Sequence, residues 1–195
     1  MRTLPVLISP LLLVLNVIAF SAQATESWWL RTVFNTSSTQ PSSQNYINDI
    51  DLMDCGDIEG TVLCSDQTKY YDLDVYVELE LDESSVEVVR LNLPYSNLSH
   101  TKLQAYLRQD GFALSSIHIG KDEFDVVAQL EHAKREGVSF DKVDKQLVEF
   151  INAPHHSSDQ VSLWNVPSSS SASSSSPWVQ LQSDGDNLTV ELNRF

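Results

Sequence analysis

The sequence predicts an α+β fold in which a small antiparallel sheet packs against about three helices. The sheet is expected from a hairpin over residues 71–93 and a strand over 112–119. Two patterns carry this prediction. Tyr71, Leu73, Val75, Val77, Leu79 and Leu81 alternate with Asp72, Asp74, Tyr76, Glu78 and Glu80, a period of two that gives one apolar and one acidic strand face. Three later stretches switch to helical spacing between start and stop signals.

Taken in order, residues 1–24 read as a cleavable secretion signal. Arg2 supplies the initial charge, the apolar stretch is densest over 11–20, and Ala22-Gln23-Ala24 gives an A-x-A cleavage pattern. The uninterrupted apolar part falls short of the ~20 residues that span a bilayer. No cysteine stands where a lipoprotein anchor needs one. The expectation is an exported soluble chain, periplasmic or secreted, with no stable membrane insertion after cleavage. Residues 25–48 read as an N-terminal arm, with Trp28, Trp29, Leu30, Val33 and Phe34 docking on the domain or serving as a contact surface.

Residues 49–165 read as the α+β domain. Near its start, Cys55 and Cys64 are the only two cysteines, and an exported chain sits where thiols are oxidised. A bridge between them closes a short loop, worth about 2.5–3 kcal/mol in the chain-entropy model. Gly56 and Gly60 let that loop turn. A short extra strand is expected over 61–64. The strand over 71–81 is joined by turn residues 82–85 to a second strand over 86–93. There Val86 and Val88 lie on one parity and Val89, Leu91 and Leu93 on the other, so a bulge near Val88 is expected to bring all five to one face. Pro94 ends the strand.

Ser99 reads as the N-cap of a helix carrying Leu103, Tyr106 and Leu107, stopped at Gly111. After the strand over 112–119, Asp122 reads as the cap of a helix with Phe124, Val127, Ala128 and Leu130, ending at Gly137. A last helix starts near Ser139 or Asp141 and places Val143, Leu147, Phe150 and Ile151 on one stripe before Pro154. Residues 166–177, nearly pure serine between Pro167 and Pro177, read as a flexible linker. Residues 178–195 read as a C-terminal β-hairpin about Ser183-Asp184-Gly185-Asp186. An isolated hairpin is marginal in water, so this one is expected to dock at home or bind something else.

The chain carries 12 Lys and Arg against 27 Asp and Glu, a formal net charge of −15. Loss of Arg2 with the signal leaves 11 against 27, or −16. That charge repels nucleic acid and anionic lipid and favours a cationic protein partner. Asp72, Asp74, Tyr76, Glu78 and Glu80 are the expected partner-binding face.

Catalytic and cofactor signals are absent by motif. There is no G-x-S-x-G elbow, no HExxH and no glycine-rich phosphate loop, and no cofactor is expected. Asp49, Asp51, Asp54, Asp57 and Glu59 fit no EF-hand register, because Met53 falls on a ligand position, and no metal is expected. His155 and His156 read as a solvated helix-end loop, His100 and His132 as surface residues, and His118 as part of the third strand. Asn35, Asn97 and Asn187 begin Asn-x-Ser/Thr sequons, which matter only in a glycosylating host. The functional expectation is a non-catalytic binding or inhibitory protein of immunity-like type. The alternatives are a secreted hydrolase of unfamiliar type using His118 or the His155–His156 region, and an accessory protein that binds through its C-terminal hairpin.

Overall fold

A computed structural model of the chain describes residues 28–34, 41–154, 159–167 and 176–194. Residues 1–24, read as a secretion signal, His155 and His156, and most of the serine-rich stretch read as a linker lie outside the described residues. In chain order the elements are α1 (Trp28–Phe34), α2 (Ser43–Ile47), β1 (Leu52–Asp54), β2 (Val62–Ser65), β3 (Thr68–Tyr70), β4 (Leu73–Leu81) and β5 (Val86–Pro94). Then follow α3 (Asn97–Gln109), β6 (Ala113–Ile119), β7 (Asp122–Asp125), α4 (Val126–Glu136), α5 (Phe140–Asn152), β8 (Gln160–Asn165), β9 (Trp178–Ser183) and β10 (Asn187–Asn193).

The α+β class is as predicted, but the sheet is much larger than expected. Ten antiparallel strands form one open sheet in the order β1-β2-β4-β5-β10-β9-β8-β6-β7, with β3 paired to β4 off that path. The C-terminal hairpin, expected as a tail, is the middle of the sheet. β10 pairs with β5 and β9 pairs with β8. Its alternating residues explain the position, because Val179, Leu181, Leu188, Val190 and Leu192 are all buried. Such a hairpin buries its apolar face only with sheet on both sides and helices above.

One register runs across the whole sheet. Val77 pairs with Leu91, then Val190, Leu181, Ser162, Ile117 and finally Phe124. Paired residues share a face, so these side chains all point to the same side. Helices α1 and α3 cover it through Trp29, Leu30, Val33, Phe34, Leu103 and Leu107. The α4–α5 pair covers the far end, where the Phe150 ring lies 5.6 Å from that of Phe124. Residues 28–34 and 43–47, read as an arm, are thus helical, and Trp29 and Tyr46 are fully buried. Among the described residues, no helix lies on the opposite face.

Local differences have local causes. The β4–β5 register shifts between Glu80 and Leu81, with Val88 opposite Glu80 and Val86 opposite Leu81. The bulge brings Val86 into line with Val89, Leu91 and Leu93, while Val88 stays half-exposed on the other face. Ser96 rather than Ser99 caps α3, accepting from the Ser99 amide at 2.9 Å, because the strand ends at Pro94 and leaves Ser96 extended. Asp125 rather than Asp122 caps α4, accepting from the Ala128 amide at 2.8 Å. Asp122 cannot cap because it still pairs with Ile119 in the ladder. Gly137, with φ 66°, closes α4 in the left-handed conformation that glycine adopts without strain.

Candidate functional site

The uncovered side of the sheet is where the expected acidic face would act. Its central row runs from Met53 through Cys64, Glu78, Arg90, Glu191 and Gln180 to Leu163. A neighbouring row holds Tyr76, Asn92, Thr189, Gln182, Val161 and His118. Side chains on this face alternate with the core residues of the same strands, so the fold that buries one set presents the other.

The structure brings four of the five predicted face residues to this side and removes the fifth. Asp72 precedes β4 and follows Tyr71, whose φ is 54°. That left-handed residue takes Asp72 out of the strand alternation and turns its carboxylate onto α3. There it accepts from the Lys102 ammonium and the Tyr106 hydroxyl. The Lys102 bond, then the Tyr106 bond, hold the Asp72 pKa below its ordinary value. Its acceptance pushes the Tyr106 hydroxyl up to about 12. Asp74 stays at the surface and pairs with Lys69 at 2.6 Å.

Glu78 and Glu80 stand on the open side, but neither is a lone charge. Arg90, on the adjacent strand, donates to Glu78 at 2.7 Å, to Glu80, and through Nε to Glu191 at 2.9 Å. Burial works against the guanidinium charge, and the bonds to Glu80, Glu191 and Glu78 overcome it, so its pKa is raised. Glu191 is held below its ordinary value, first by the Asn193 amide and also by Arg90. One cation thus meets three carboxylates, and the cluster keeps a surplus of negative charge. Tyr76 lies two residues from Glu78 and is 53 % exposed.

Cys55 and Cys64 are bonded, with Cα atoms 5.9 Å apart. The acidic run beside them serves the loop. The Asp54 carboxylate accepts from the amides of Gly56 at 3.1 Å and Gly60 at 2.6 Å, and Asp49 accepts from the Asp51 amide at 2.9 Å. Among the described residues, no group of three His, Cys, Asp or Glu side chains is placed to hold a metal ion. His118 faces the open side and lies 3.5 Å from Glu123, while the nearby Ser115 hydroxyl donates to the Leu163 carbonyl at 3.0 Å. His100 is mostly buried, which lowers its pKa, and contacts Gln104 and the Tyr95 ring. His132 lies on α4, 4.0 Å from Glu136.

Two features were missed in the sequence. Arg90 and Glu191 organise the open face, and the signal for Arg90 was its parity, opposite to Val89 and Leu91. The other is the apolar exposure of the disulfide edge, where Ile50 is 97 % and Ile58 69 % exposed. Among the described residues, no helix is long and apolar enough to cross a membrane. The chain matches no family model, no curated protein and no solved structure.

Proposed function

We propose that the chain is an exported, non-catalytic binding or inhibitory protein that engages a cationic protein on the open face of its sheet. The observation that carries this is Tyr76: a large aromatic, 53 % exposed, on the same strand and face as Glu78 and Glu80. Aromatic side chains of this kind anchor interfaces, offering much contact area for little lost conformational freedom. The surplus carboxylates around Arg90 add the attraction. Lys69 and Lys102 pair with Asp74 and Asp72, so the surplus charge of the face centres on Glu78, Glu80 and Glu191, three carboxylates that share Arg90. With Arg2 removed, a net charge of −16 (11 against 27) steers a basic partner from a distance, and the local cluster orients it.

The test is capture from an extract of the exported fraction on immobilised protein at low ionic strength. A basic protein should be retained, released as salt approaches about 0.15 M where the screening length falls to ~8 Å, and held less well by Tyr76→Ala. Capture of nothing whose binding weakens with salt would sink the proposal.

A further inference from the structure

Residues 47–60 combine two properties that rarely occur together. Ile47, Ile50, Met53 and Ile58 are 39 %, 97 %, 52 % and 69 % exposed. The same segment holds Asp49, Asp51, Asp54, Asp57 and Glu59, and no Lys or Arg. Isolated exposed aliphatics are ordinary on a protein surface, but four in one short edge segment leave it with much apolar surface in water.

The segment is also held in shape. The Cys55–Cys64 disulfide closes it, the Asp54 carboxylate binds two of its glycine amides, and the Cys55 amide donates to the Val62 carbonyl at 3.1 Å. Ile47 Cδ1 stands 4.0 Å from where a Cβ on Gly60 would lie, so the end of α2 reaches the loop. A fixed loop has little freedom left to lose on binding, which is what makes an exposed apolar contact effective. Met53 pairs with Cys64, and Cys64 with Glu78, so this edge continues the open face that carries Tyr76.

We infer that this disulfide-closed edge is the apolar anchor of the binding face, and that it takes a basic amphipathic segment of the partner protein. The inference rests on the cationic-partner reading above and adds the partner's second property, an apolar stripe flanked by Lys or Arg. The carboxylates decide the occupant. They repel a second copy of this chain and an anionic lipid surface, and they attract cations beside the apolar contact.

The experiment measures binding of labelled peptides to the purified protein by fluorescence anisotropy. The probes are a helical Leu/Lys peptide, the same pattern in Leu/Glu, and an oligolysine. Wild type should bind the Leu/Lys peptide at least about tenfold more tightly than oligolysine. The Ile50→Ser/Ile58→Ser variant should lose about tenfold toward the Leu/Lys peptide while its oligolysine affinity stays the same. Both positions are largely exposed, so its thermal unfolding should match wild type. Ile50→Ser alone, at the most exposed site, repeats the comparison if the double variant unfolds. Equal Leu/Lys affinity in wild type and variant overturns the inference, as does equal binding of the Leu/Glu peptide. If Tyr76→Ala weakens both cationic probes but the isoleucine variants weaken neither, only the anchor falls. If wild type binds neither cationic probe, the cationic-partner reading falls and the anchor with it.

Discussion

Tyr71 holds a backbone conformation, φ 54°, that costs an L-residue about 1–2 kcal/mol, and its neighbours show what offsets that cost. Its hydroxyl donates to Asp110 at 2.5 Å, its ring stacks on Tyr106 at 4.2 Å, and the Arg31 guanidinium lies 5.9 Å from its centre. The turn it makes delivers Asp72 to Lys102 and Tyr106. Because the folded Asp72 pKa is lowered, the pair contributes stability above the unfolded carboxylate value of about 3.9 and loses it as pH falls through the lowered value. Asp72 is exposed, so the contribution is that of a surface pair. Asp72→Asn should cost about 0.5 kcal/mol at neutral pH, and the gap from wild type should close as pH falls through the lowered Asp72 value. Urea titrations at neutral and at acid pH check this, and a gap independent of pH would show that the Asp72 pair does not supply it. Strict alternation assigned Asp72 to the face because nothing in a tyrosine announces a positive φ. Glu78 and Glu80 were legible because they lie inside regular strand. Glu191, which shares Arg90 with them, was not, since it arrives from a strand about a hundred positions beyond Arg90.

At the scale of elements, period and capping located most of the strands and helices but not their partners. The strand β8 escaped because its polarity does not alternate as expected. Val161 and Leu163 face the open side, while the core-facing positions hold Ser162 and Trp164. Ser162 is tolerated there because its hydroxyl accepts from Trp164 Nε1 at 2.9 Å and lies 3.4 Å from the Leu181 carbonyl. The strand β7 was mistaken for a helix start because Asp122, Glu123 and Asp125 look like first-turn acids, whereas pairing with β6 claims them first. The hairpin β9–β10 was read correctly as a hairpin, but the choice of neighbours on each side is tertiary information. Its central position gives a sharp expectation. A chain ending at Pro167 loses both central strands, separating β5 from β8 and exposing the apolar residues of each. It should show no cooperative thermal unfolding and be degraded by protease under conditions where the full chain survives. A truncated chain with a sharp transition would show that the two sheet halves are independent, contrary to the pairing seen. Both edges of the hairpin are occupied at home, so the accessory reading loses the free strand on which it depended.

For the whole molecule, the strand order makes folding a long-range problem. Residues 73–94 build one half of the sheet and residues 113–165 most of the other, yet neither half pairs directly with its counterpart. They join only when β10 reaches β5, as in the contact between Arg90 and Glu191, 101 positions apart. Closing such separations costs chain entropy before native contacts return it, so folding should be slow for a chain of this size. Leu192 tests where the barrier lies. It is fully buried, paired with Val89 on one side and Val179 on the other. Leu192→Ala should cost about 2–5 kcal/mol, and if the β5–β10 junction forms in the transition state, most of that loss will appear as slower refolding. Ile117, near the β7 edge, is the control. Ile117→Val should cost about 1 kcal/mol and act mainly by speeding unfolding, because that end of the sheet can join after the centre has formed. Stopped-flow refolding and unfolding in denaturant separate the two. If Leu192→Ala instead left the refolding rate unchanged, the two halves would have to dock before the hairpin enters. The ladder order leaves no direct pairing by which they could do so.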